Sequence, residues 1–373
     1  MALTIQHIQK EDFTLITIHD TRSLLEARRK SKIESKIPFV VSGKTYEANK
    51  VIINGEMSVP RLQRPIGEML TEGSALKELT NKIVLDVELG REKNPLLYKS
   101  IYELLSDANF PRQFEAKWAL SGSVVFLEHL EGEEIKFGSL RAEQGPTAFI
   151  KTYSAGFEYT KEMVEFNEKF NFELLNRAFG EAHNAILNHL HLSPIFEFNY
   201  KSANKTAARY VDRQGNPIVS EDEEERSKSH YILSLRETFR KAIKDAEVAK
   251  RPGTVLLIHP ANKEDVLDAL NRIVMNETTY RPLDIPDLVT YGGWSAQVGK
   301  KAHEYPGVPL DKAYLIRPKR GFKELVKKDL EIQSESADLS RLIEKQVVGY
   351  FMRGVFAAVE ENVQEISLPQ SFE

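Results

Sequence analysis

From Thr160 to Leu192 the sequence reads as one helix, and an element of that length sets the scale of anything built around it. Thr160 stands where a hydroxyl can cap the first turn, and Glu162 where the positive end of the helix dipole favours an acid. Phe166, Phe170, Leu174, Ala178, Ala182, Ile186 and Leu190 recur at every fourth residue. Four residues slightly exceed one turn, so this row drifts around the helix by roughly 40° per step and meets different partners along its length. The helix would span roughly 50 Å, more than a small single domain needs.

A chain of 373 residues can carry two or three ordinary domains, and 41% hydrophobic with 28% charged residues is enough to bury a core. The net charge of −4 is small for this length and argues against a dedicated nucleic-acid binder. No cysteine is present, which removes disulfides, thiolate zinc sites, iron–sulfur clusters and cysteine nucleophiles together. The opening MALTIQHIQKEDF lacks the basic-then-apolar pattern of a secretory signal, and no apolar run of about 18 residues could span a bilayer. The expectation is a chain that folds in a cytoplasm without touching a membrane.

Along the chain, LTIQHI and FTLITIHD alternate as short strands, and residues 21–36 read as a basic helix, six Lys or Arg against two Glu. VVSGKTYEANKVIIN reads as a hairpin around Gly43, and ALKELTNKIVLDVELG and NPLLYKSIYELLSDA as two helices. WALSGSVVFLEHLEGEEIKFGSL, at 118–140, reads as a long hairpin with Gly132 at its tip. An isolated hairpin is marginal in water, so this one should lean on the chain's own core or on a neighbour. Beyond the long helix come a turn at Asp212–Asn216, an acidic run at 221–225, an amphipathic helix over 229–249, and buried strands at 251–260 and 313–318. Strands alternating with helices there predict a compact α/β block. The last part predicts a strand, a helix from about Asp338, and a strand.

Chemistry is scarce. GWSAQVGKK, Gly293–Lys301, has five residues between its glycines and Lys301 where a phosphate-binding loop needs Ser or Thr, so it reads as a flexible loop. His183, His189 and His191 are six and two residues apart, spacings that point them away from one another on a helix. Glu131, Glu133, Glu134, Glu158, Glu162 and Glu165 supply carboxylates, but no residues around them mark a pocket. There is no HExxH, GxSxG or GxGxxG. No catalytic residue, metal or cofactor is expected.

The order of parts says more than any motif. VVFLEHLEGEEIKFGSL, then GFEYTKEMVEFNEKF, then RGFKELVKKDLEIQSESADLSRLIEKQVVGYFMRGVFAA resembles the major capsid proteins of tailed bacteriophages, the Hong Kong 97-type fold, over roughly residues 110–360. That resemblance implies an α+β fold with an N-terminal arm over 1–70 and an arm-to-loop connection over 71–117. It implies an extended β-hairpin loop over 118–145 and a peripheral domain over 146–195 and 319–362 with a spine helix at 160–192. An α/β axial domain over 196–318 and a tail over 363–373 complete it. Inter-subunit contacts would involve Val124, Val125, Phe126, Leu127, Glu131, Glu133, Glu134, Lys136 and Phe137 of the loop. Phe166, Phe170, Leu174, Ala178 and Ile186 would pack the spine helix. Arg28, Arg29 and Lys30 would face packaged DNA.

The function implied is a structural, non-enzymatic shell subunit. It would assemble as pentamers and hexamers around a double-stranded DNA genome, in a virion put together in the host cytoplasm and expanding on maturation. A separate scaffolding protein, a portal and a decoration protein would be partners. Lys136 has no matched partner for a covalent crosslink, so none is expected. The alternatives are an encapsulin-like nanocompartment shell and a soluble enzyme built on the α/β block.

Overall fold

A computed structural model of the chain describes residues 3–8, 13–18, 32–41, 44–53, 56–60, 64–69, 74–115, 147–212, 214–218, 228–271, 273–275, 278–283, 285, 287–298, 301–338 and 343–370. These residues form an α+β fold of helices and mixed sheets, the class expected from the sequence. The chain divides into two compact units. One gathers Met1–Pro95, Thr152–Asn184 and Lys328–Met352, and the other Leu96–Lys151, Ala185–Lys327 and Arg353–Glu373.

In the first unit, Lys32–Val41 and Lys44–Ile53 pair antiparallel in unbroken register from Lys32↔Ile53 to Val41↔Lys44, so the hairpin around Gly43 forms. The same pairing corrects the basic helix expected over 21–36. Lys32–Lys36 are strand, in register with Asn49–Ile53, and residues 21–31 lie outside the described residues. The helix Ser74–Lys93 follows its sequence: Leu76, Leu79, Ile83, Val84 and Val87 recur at three- and four-residue steps and are all buried. They share a core with Phe39, Ala48, Ile66, Met69, Tyr159, Phe172 and Val347.

The predicted long helix is two helices. Lys161–Glu165 is capped by Thr160, whose Oγ1 accepts from Met163 N at 3.3 Å. It then stops at Asn167, which takes φ 50°. Asn167 N donates to Val164 O at 3.2 Å and Glu168 N to Met163 O at 3.0 Å. This pair of bonds ends helices where a residue enters the left-handed region, and asparagine is tolerated there after glycine. The main helix restarts at Lys169 and runs 28 residues to Phe196, with Pro194 in its last turn, roughly 42 Å.

In the second unit a five-stranded sheet runs in the order Lys205–Thr206, Val363–Ser367, Lys312–Ile316, Val255–Ile258, Asp287–Thr290. Its first and last pairings are parallel and the two between are antiparallel. Helices Lys228–Val248 and Lys263–Leu270 cover it through Tyr231, Leu235, Phe239, Val266 and Ala269 against Leu256, Ile258, Leu315 and Ile366. The α/β block expected here forms, with one correction. Val363–Ser367 is an interior strand of this sheet and not a tail.

Other expectations give way. NPLLYKSIYELLSDA is a short 3₁₀ turn, Leu97–Ser100, and a strand, Glu103–Ser106, not a helix. The helix expected from about Asp338 is replaced by a 15-residue strand, Ile343–Ala357, beside the 17-residue strand Phe322–Asp338. The loop expected over Gly293–Lys301 is a strand from Trp294 to Val298. Trp294–Val298 and Lys301–Tyr305 form a hairpin, which removes any phosphate-loop reading.

Candidate functional site

The helix Lys169–Phe196 turns the usual amphipathic rule around. Its buried row is Phe172, Asn176, Gly180, Asn184, Asn188 and Leu192, two positions on from the apolar row read from the sequence. Each polar member has a task. Asn176 Oδ1 accepts from the buried Tyr159 hydroxyl at 2.7 Å. Asn184 Nδ2 donates to Arg91 O and Asn94 O, both at 2.8 Å, satisfying carbonyls left open at the end of Ser74–Lys93. Asn188 Oδ1 accepts from Leu97 N at 2.8 Å. Gly180 and Gly90 let two backbones meet. A Cβ on Gly180 would lie 1.9 Å from Val87 O, and one on Gly90 2.0 Å from Arg177 O.

The row read as packing is therefore left outside. Phe166 is 72% exposed, Phe170 77% and Leu174 56%. Ala178 continues the row and is exposed, and Ile186 is half-buried. Phe170, Leu174 and Ala178, set one turn apart on one face of this helix, make an apolar stripe of the kind that marks an interaction site, and Phe166 stands exposed at the end of the preceding short helix. The structure thus leaves Phe170, Leu174 and Ala178 on one helix face, and Phe166 just before it, uncovered by the described residues. Val124–Phe137 of the expected loop and Arg28, Arg29 and Lys30 lie outside the described residues.

Sequence reasoning missed two buried polar clusters. In the first unit Lys82 Nζ lies 2.8 Å from Asp86 and 3.0 Å from Glu173. Burial pushes the Asp86 carboxyl up, against the Lys82 hydrogen bond. In the second unit Arg353 pairs with Glu324, which also accepts from the Tyr98 hydroxyl at 2.8 Å. His191 stacks on Tyr98 with ring centres 3.6 Å apart, and meets Tyr102 edge-on. Its Nδ1–H donates to Leu187 O at 2.7 Å, which leaves Nε2 bare, buried and 3.9 Å from Glu324. Burial lowers the His191 pKa to about 3, the Leu187 bond opposing and the Arg353 charge assisting. The second cluster joins residues far apart in sequence, which spacing could not reveal, whereas Lys82 and Asp86 stand four apart on one helix and only their burial and Glu173 were hidden.

The three histidines go to different surroundings: His183 beside Asn184 and Phe351, His189 stacked on Tyr305, His191 on Tyr98. Among the described residues no three His, Asp or Glu side chains are placed to hold a metal. Glu158 accepts from Gln346 at 2.9 Å, Glu162 and Glu165 are exposed, and Glu131, Glu133 and Glu134 lie outside the described residues. No described helix is long and apolar enough to cross a membrane.

No protein-family model matches the sequence, and no curated protein matches it. Among solved structures, the chain is similar to the virus-like particle of Pyrococcus furiosus, at 11% identity and TM-score 0.44, over 76% of this chain and 96% of that one. It is similar to the capsid of Myoviridae phage XM1, at 11% identity and TM-score 0.44, over 73% of this chain and 92% of that one. It is also similar to the procapsid of bacteriophage JBD30, at 10% identity and TM-score 0.40, over 81% and 77%.

Proposed function

We propose that the chain is the major capsid protein of a tailed double-stranded DNA phage, assembling as pentamers and hexamers into a shell around the genome. The observation that carries this reading is the exposed apolar stripe Phe170, Leu174 and Ala178 on a helix whose opposite row is buried, with Phe166 exposed just before it. Covering the two phenylalanines and the leucine with a neighbour would contribute about 5 kcal/mol per subunit. A subunit that meets identical copies by symmetry supplies such a neighbour to every row at once. The order of helix, α/β block and closing strands supports the same reading. In this account the row and the segment 118–145 join copies, and a scaffolding protein, a portal and a decoration protein act with them. The particle is a virion assembled in the host cytoplasm, and the chain does structural rather than catalytic work.

Electron microscopy of Phe166→Ser/Phe170→Ser beside wild type tests it. The variant should keep the wild-type melting temperature and lose assembly. A variant that assembles like wild type would sink the role given to the row. Nucleic acid inside purified particles separates a phage shell from a nanocompartment.

A further inference from the structure

One end of the five-stranded sheet gathers more cations than the described acids around it pair with. There Lys312–Ile316 runs out and Val255–Ile258 begins, with Val255 opposite Ile316. Lys250 and Arg251 lie in the loop before one strand, and Arg317, Lys319 and Arg320 in the loop after the other. Arg317 Nη1 donates to Lys250 O at 3.2 Å, tying the loops together. Lys319 N donates to Ile101 O at 2.7 Å, which brings the turn carrying Lys99 to the same place. Lys99, Lys250, Lys319 and Arg320 are exposed. None of them has an ion pair among the described residues. The guanidinium of Arg251 is held by Gln364 Oε1 and Ala203 O, both neutral. Of the acids at this end, Glu360 pairs with Lys201, Glu103 with Lys323 and Asp245 with Lys241, leaving Glu247 and Glu361 against these cations.

The backbone adds a second observation. Lys250 has φ 58° and Lys319 φ 67°. A lysine in the left-handed region is held at a cost that glycine would not carry. Two long cations are kept where the fold alone favours glycine, and an outlier of that kind points towards use of the side chain. Neither AKRPGT at 249–254 nor RPKRG at 317–321 carries a large apolar side chain. A peptide partner needs an apolar anchor at the centre of its site, whereas phosphate backbones need only spaced cations.

We infer that this end of the sheet binds the phosphate backbone of duplex DNA without regard to sequence; the choice of DNA as the polyanion rests on the shell reading above. The test is Lys250→Gly/Lys319→Gly in the full chain, which removes both charges while relaxing both backbones. It should melt at or above the wild-type temperature. It should bind a short DNA duplex at least about tenfold more weakly at about 0.1 M salt, with the log–log salt slope shallower by about two. Lys44→Gln/Lys161→Gln removes the same charge elsewhere and should bind as wild type does. Equal losses in both variants, no loss in the first, or competition by poly-glutamate matching that of duplex at equal charge would overturn the inference. Particle formation is scored separately by microscopy. Shells with unchanged duplex affinity would overturn this inference and spare the shell reading. A site-specific loss in a chain that never assembles would support the site and sink the shell.

Discussion

His191 is held neutral among Tyr98, Tyr102, Glu324 and Arg353, and that has a consequence for acid stability. Its folded pKa of about 3 lies below the ordinary value of 6.5, so below pH 6.5 the unfolded chain binds the extra proton. The contribution is complete above pH 6.5 and is lost as pH falls towards 3, with a slope approaching 1.4 kcal/mol per pH unit. Urea midpoints measured from pH 7 to 4 should fall in wild type and fall less in His191→Phe, which keeps the ring on Tyr98. Parallel pH profiles would contradict the assignment. Asn184 makes a separate prediction. Asn184→Ala leaves the Arg91 and Asn94 carbonyls open and should cost about 2 kcal/mol in chemical denaturation, whereas an exposed position such as Asn171→Ala should cost little.

At the scale of elements, the crossing of Ser74–Lys93 with the first half of Lys169–Phe196 depends on two glycines. Gly90→Ala and Gly180→Ala each drive a methyl into a facing carbonyl, and each should destabilise by about 3 kcal/mol or more, read as a drop in melting temperature. A change under about 1 kcal/mol would show that the helices part easily. Elements with one clean local signal were legible in the sequence. The hairpin around Gly43, the helices at 74–93 and 228–248 and the strands at 255–258 and 312–316 each matched a single period. IEKQVVGYFMRGVFA was not legible. Apolar residues fall on both faces, and Arg353 sits on the buried face with Val347, Gly349 and Phe351 because Glu324 of the neighbouring strand Phe322–Asp338 pairs with it. The helix stop at Asn167 was visible only as an asparagine inside an apolar row, and the row outweighed it.

For the whole molecule, the row of Phe166, Phe170, Leu174 and Ala178 was legible and its direction was not. Amphipathic reasoning places the more apolar row inward, and here asparagines and a glycine are inward because they serve the ends and backbone of other elements. The described residues leave the better apolar row outside, and on this account copies of the chain cover it. Negative-stain electron microscopy of the purified full chain, alone and with a candidate scaffolding protein, tests that claim most directly, with Phe166→Ser/Phe170→Ser alongside. The account predicts closed shells or rings of capsomers from wild type and dispersed, folded subunits from the variant. Wild type that stays a uniform monomer or dimer under every assembly condition, or a variant that builds the same shells, would contradict it.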